Sequence, residues 1–124
     1  MGVLYLYNMN LKKIIREEID DLEWIQEDWI EGKELRKLLL KTGADTIPFK
    51  EVRGDLGLHG TQIKDLGNLE EVGGDLDLGM TKIKDLGNLQ SVGGWLDLLG
   101  TPISKMYSEM EIRAMVNVHG DIYL

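Results

Sequence analysis

Residues 52–106 repeat themselves. Val52-Arg-Gly-Asp-Leu-Gly-Leu-His-Gly-Thr-Gln-Ile-Lys-Asp-Leu-Gly-Asn-Leu69 returns as Val72-Gly-Gly-Asp-Leu-Asp-Leu-Gly-Met-Thr-Lys-Ile-Lys-Asp-Leu-Gly-Asn-Leu89. It starts a third time at Val92-Gly-Gly-Trp-Leu-Asp-Leu-Leu-Gly-Thr-Pro-Ile103, so the period is 20 residues. A fixed period of this length implies stacked units, none of which buries its apolar side alone.

The short motif inside each unit says how the stack is built. In Leu56-x-Leu58, Leu76-x-Leu78 and Leu96-x-Leu98, alternate side chains point to one side, as in a strand. Val118-His-Gly-Asp-Ile-Tyr-Leu124 restates Val52-Arg-Gly-Asp-Leu-Gly-Leu58, so a fourth strand is expected after a longer connection. Within that connection Ser108-Glu-Met-Glu111 has capping-box spacing and predicts a short helix to about Val116. Stacked as a parallel sheet, the leucines form columns about 4.8 Å apart. Thr61, Thr81 and Thr101 form a column of hydroxyls next to turn backbone, where they can satisfy unpaired groups. The glycine pairs at 73–74 and 93–94, with Gly54 and Gly120, suit tight corners with unusual dihedrals. Gly67-Asn68 and Gly87-Asn88 suit turns.

These phrases resemble leucine-rich-repeat proteins, in particular the short bacterial and phage-type repeats. Leu76-Asp-Leu78-Gly-Met-Thr81-Lys-Ile83 and Leu96-Asp-Leu98-Leu-Gly-Thr101-Pro-Ile103 look like the family's Leu-x-Leu-x-x-Asn-x-Leu, with Thr in place of Asn. Ile63-x-x-Leu66-x-x-Leu69-x-x-Val72 supplies the return side. The resemblance covers residues 47–106 and the last strand. It implies an α/β repeat fold: a short solenoid of parallel strands with N-terminal capping helices. It also implies that the strand face is the partner-binding surface. It names no partner, because the family is a recognition scaffold.

Ahead of the repeats, residues 1–46 read as an N-terminal extension and helical cap, and residues 47–124 as the solenoid. Val3, Tyr5 and Tyr7 alternate with Leu4 and Leu6 like a strand. Residues 10–31 read as an amphipathic helix with Leu11, Ile14, Ile15, Ile19, Leu22, Ile25 and Trp29 on one stripe. A second helix is expected at roughly 33–41, carrying Leu35, Leu38 and Leu39 and stopping at Gly43. The repeats then begin near Ile47-Pro-Phe49, with Phe49 one period before Leu69.

If the leucines point inward, their neighbours point outward. One outward column is Asp55, Asp75, Trp95 and Asp121; the next is Gly57, Asp77, Asp97 and Tyr123, with His59, Gly79 and Leu99 beside them. Trp95 and Tyr123 would anchor a partner and the aspartates select a basic one. The competing reading is that repeated Asp residues keep the sheet soluble and blunt its edges. Asp55, Asp75, Asp77 and Asp97 would lie close enough to repel one another unless something compensates them. Gly74-Asp75-Leu76-Asp77 is similar to calcium-binding β-rolls, but their nonapeptide period is missing, so no metal site is expected.

Trp24 falls opposite the apolar stripe of the long helix, among Asp20, Glu27, Asp28 and Glu31. It would be a second contact for a basic protein, or part of a DNA-mimicking surface, unless the second helix folds over it.

Other classes find little support. The net charge of −8 argues against nucleic-acid binding. His59 and His119 occupy different repeat positions with no nucleophile at diagnostic spacing, and there is no phosphate-binding loop. Neither catalysis nor a cofactor is expected. The chain has no cysteine, and no apolar run reaches membrane-spanning length, so a cytoplasmic protein is expected. Self-association is the remaining alternative: a structural protein forming a homodimer or larger assembly through its terminal strand edge. Residues 3–7 or the helix at 108–116 would otherwise cover that edge.

Overall fold

The computed structural model describes residues 28–124. Each 20-residue unit contributes one strand to each of two parallel sheets. The first sheet holds β1 (Trp29–Glu31), β2 (Glu51–Arg53), β4 (Glu71–Val72), β6 (Ser91–Val92) and β8 (Asn117–Val118), side by side in that order. The second holds β3 (Leu56–Gly57), β5 (Leu76–Asp77), β7 (Leu96–Asp97) and β9 (Ile122–Tyr123), again in chain order. The register is that of the repeat: Val52 faces Val72, Val72 faces Val92, and Leu56, Leu76, Leu96 and Ile122 align.

Hydrophobic burial explains why these strands are so short. Leu56, Leu58, Leu76, Leu78, Leu96 and Leu98 are all fully buried, as are Val52, Val72 and Val92 from the other sheet. Ile63, Leu66 and Leu69 and their counterparts Ile83, Leu86 and Leu89 close the third side of the same core. Each buried aliphatic side chain contributes roughly 1.5–3 kcal/mol. A unit needs only one inward step per side before the chain turns.

Side chains at fixed positions of the repeat make the turns. Thr61, Thr81 and Thr101 each donate the hydroxyl to the carbonyl three residues earlier, on Leu58, Leu78 and Leu98, at 2.7 Å. Asp65 and Asp85 each accept the N–H of the glycine two residues on at 2.9 Å, with Gly67 and Gly87 at φ 56 and 54. The glycine corners work differently from expectation. Gly54 has a positive φ, but Gly73, Gly74, Gly93, Gly94 and Gly120 do not. They are small because the adjacent unit is close. A Cβ on Gly93 would collide with the Gly73 carbonyl, and one on Gly94 with the Asp75 carboxylate.

The helix expected at 33–41 is α1 (Gly32–Thr42), capped by Gly43 in the left-handed conformation at φ 73. Leu35, Leu38 and Leu39 face the core. Gly32 lies so close to β3 that a Cβ would meet the Asp55 carbonyl, and Arg36 donates to the Gly57 carbonyl at 2.6 Å. The helix therefore covers the first edge of the second sheet. Gln62 ties the end of α1 to the repeats by donating to the Leu39 and Ala44 carbonyls at 2.7 and 2.9 Å.

One expectation is corrected. Trp29, Ile30 and Glu31 are not the last turn of a helix; they form β1, paired with Glu51, Val52 and Arg53. Ile30 is fully buried beside Val52, and the Trp29 ring stacks on the Arg53 guanidinium, 3.7 Å from the ring centroid. Cross-strand burial and this cation–π contact override the helical spacing. The strand expected at 3–7, the remainder of the helix expected at 10–31 and Trp24 lie outside the described residues.

After the third unit the chain forms α2 (Ile103–Met106) and α3 (Glu109–Met115) before β8. The capping box is present: the Ser108 hydroxyl accepts the Glu111 N–H, and the Glu111 carboxylate accepts the Ser108 N–H. Arg113 of α3 donates to the Val118 and Gly120 carbonyls at 2.9 and 2.8 Å. These bonds occupy two carbonyls at the β8 edge of the first sheet; they do not reach β9, the last strand, whose edge the helix is expected to shield. No helix among the described residues is long and apolar enough to cross a membrane.

Candidate functional site

The outward side chains of the second sheet form the surface singled out by the repeat. Asp55, Asp121 and Tyr123 are exposed; Asp75, Asp77, Trp95 and Asp97 are half-buried. The structure brings these seven together on one face, because β3, β5, β7 and β9 lie in register. Trp95 and Tyr123 meet edge to face, with ring centroids 6.1 Å apart and planes at 74°. This contact fixes both rings while leaving Tyr123 43% exposed.

The aspartates are also part of the framework. Asp55 Oδ1 accepts the backbone N–H of Asp75 at 2.8 Å, and Asp75 Oδ1 accepts that of Trp95 at 2.9 Å. Asp77 and Asp97 bend back to accept the N–H of Gly79 and Leu99, each at 2.9 Å. Backbone dipoles therefore offset part of the repulsion between neighbouring carboxylates. In each of these four, only Oδ1 takes a hydrogen bond among the described residues.

His59 lies over Gly79 and places Nδ1 3.5 Å from Asp77 Oδ1. A Cβ on Gly79 would come within 2.7 Å of that nitrogen, so the absence of a side chain at 79 lets the imidazole settle there. His59 is largely in solvent, so the pair contributes little to stability. His119 is exposed, on the turn between β8 and β9. Among the described residues, no group of three or more His, Asp or Glu side chains is arranged to hold a metal ion.

Met80 belongs to the same face and was not singled out by the repeat pattern. It is the only non-glycine residue at positive φ among the described residues, at φ 57. Its counterparts are Gly60 at φ 68 and Gly100 at φ 75. The signal was present in the sequence: His59-Gly60 and Leu99-Gly100 become Gly79-Met80, with the glycine shifted one place earlier.

On the first sheet, a depression of about 600 Å³ is lined by Lys50, Glu51, Arg53, Glu70 and Glu71 beside Trp29. Its charges are mixed, and Arg53 pairs with Glu51 at 3.3 Å. No protein-family model, curated protein or solved structure matches this chain.

Proposed function

We propose that this chain is a non-enzymatic protein-binding module, built as a short leucine-rich-repeat-like solenoid, that works in the cytoplasm. Its binding surface is the second sheet, with Trp95 and Tyr123 as anchors and Asp55, Asp75, Asp77, Asp97 and Asp121 selecting a basic partner protein. An inhibitor of a host defence protein is the narrower version, by analogy with the phage-type repeats.

The observation that carries this reading is the charge of the face. Residues 55–59, 75–79, 95–99 and 121–124 contain five aspartates and no Lys or Arg. Such a surface repels phosphate backbones and attracts a basic protein. The aromatic pair at its end matches the residue types that dominate binding energy.

Trp95→Asp separates binding from architecture. It restores the column of Asp55 and Asp75 and supplies a carboxylate for the next N–H. Wild type and Trp95→Asp are immobilised side by side, and proteins captured from host lysate are identified by mass spectrometry. A basic protein held by wild type and lost by a folded Trp95→Asp supports the reading. Equal retention by both baits moves the site off this face and defeats it.

A further inference from the structure

The aspartates alone would make a polar, solvated surface, yet exposed apolar groups interrupt them at one end. Met80 is 62% exposed and Leu99 47% exposed. They are neighbours: the Met80 N–H donates to the Leu99 carbonyl at 2.7 Å. The Met80 sulfur lies over Gly100, where a Cβ would collide with it. Asp97 stands between this pair and the aromatic pair. It is two residues along the strand from both Trp95 and Leu99, and opposite Tyr123. The result is an apolar arc broken by a carboxylate.

Holding a methionine in the left-handed region is unfavourable relative to glycine, which the other two units use. Nothing inside the fold requires the side chain, because most of it is in solvent. An exposed side chain kept in this conformation motivates a search for a role outside the fold. Methionine is also the side chain best able to adapt to a partner's surface.

We propose that Met80 and Leu99 form the apolar half of the docking site. The occupant is an extended segment of a partner protein that alternates Lys or Arg with apolar side chains. The apolar side chains would rest on Met80, Leu99 and Tyr123, and the cations would reach the unbonded oxygens of Asp77 and Asp97. Charge complementarity selects this occupant over a second copy of the chain, whose matching face is equally acidic. This inference rests on the strand face being the binding surface.

Amide chemical-shift titration of the full chain tests it with three synthetic peptides: Lys-Leu-Lys-Phe-Lys, Lys-Ser-Lys-Ser-Lys and Glu-Leu-Glu-Phe-Glu, all with blocked ends. The first should shift residues 77–81 and 95–99 and bind at least about fivefold tighter than the second, the scale of partial burial of one large apolar side chain. The third should not bind. Met80→Gly should weaken the first peptide to the level of the second without lowering the thermal midpoint. A merely structural methionine would give the reverse: a lower midpoint and unchanged affinity. Equal binding of the two cationic peptides on this face, insensitive to Met80→Gly, overturns the apolar arc but leaves the acidic face as the binding surface. Shifts elsewhere, or none with any peptide, overturn both.

Discussion

Asp75 accepts the backbone N–H of Trp95 from the neighbouring strand at 2.9 Å. The same geometry links Asp55 to Asp75 one unit earlier, at 2.8 Å. Each carboxylate thus satisfies an N–H at a corner where the chain passes between the two sheets. The adjacent glycines leave room for it, since a side chain on Gly74 or Gly94 would occupy the space of the carboxylate. Glycine and aspartate in these units form one device. The acidity of the face is partly a consequence of how the corner is built.

Asp75→Ala should therefore destabilise the fold although the residue is only half-buried. It removes a charge-assisted acceptor and leaves the Trp95 N–H to water at a partly covered site. The expected loss is about 1–2 kcal/mol. Asp75→Asn keeps an acceptor in place and should lose less than half as much. Urea denaturation of the three proteins reads the difference; equal stability of Ala and Asn variants would show that the bond contributes nothing.

Much of this architecture was legible in the sequence. The leucine columns, the threonine turns, the capping box at Ser108 and the stop at Gly43 all follow local rules that a repeat multiplies. What escaped depends on neighbours distant in the chain. Trp29-Ile-Glu31 reads in phase with a helix, and only pairing with residues 51–53 makes it a strand. The first sheet was hidden because each unit gives it little more than one inward valine beside a polar residue. The aspartate contacts span a full repeat, so no local pattern announces them. On the candidate face the two outward columns follow from the repeat, whereas Met80 does not, because its unit carries the glycine one place earlier.

Gly94 and Gly57 should respond in opposite directions to the same methyl group. At Gly94 a Cβ would strike the Asp75 carboxylate and crowd its backbone. Gly94→Ala is expected to cost about 2–3 kcal/mol through overpacking. At Gly57 a Cβ meets nothing within 4 Å. Its φ is not positive, so Gly57→Ala should stabilise by about 0.5 kcal/mol through the unfolded chain. Thermal melts of the two single variants test the contrast, and destabilisation at Gly57 would contradict it.

Thr81→Val isolates one turn hydroxyl. Thr81 is buried, and its hydroxyl donates to the Leu78 carbonyl at 2.7 Å. Valine fills nearly the same volume, so the loss is that of the hydrogen bond, about 1 kcal/mol. The same change at half-buried Thr61 should lose less, because water can replace the hydroxyl there. Chemical denaturation of both variants checks the order; a larger loss at Thr61 would rule out burial as its cause.

Arg113 holds the edge of β8 closed, and its loss should change both stability and association. The planar guanidinium donates to Val118 and Gly120 at once, while its Nε pairs with Glu109 at 3.0 Å. Arg113→Ala frees both carbonyls and should destabilise the fold by about 1–2 kcal/mol. Lysine is a single point donor and cannot bridge two carbonyls in the same plane, so Arg113→Lys should recover less than half of that loss. The freed carbonyls also lie along a parallel strand edge, the kind of template that recruits other chains. Sedimentation velocity across a range of concentrations should therefore show Arg113→Ala associating more readily than wild type. If the alanine variant is as stable as wild type and sediments identically, the seal is dispensable and α3 protects β8 by bulk alone.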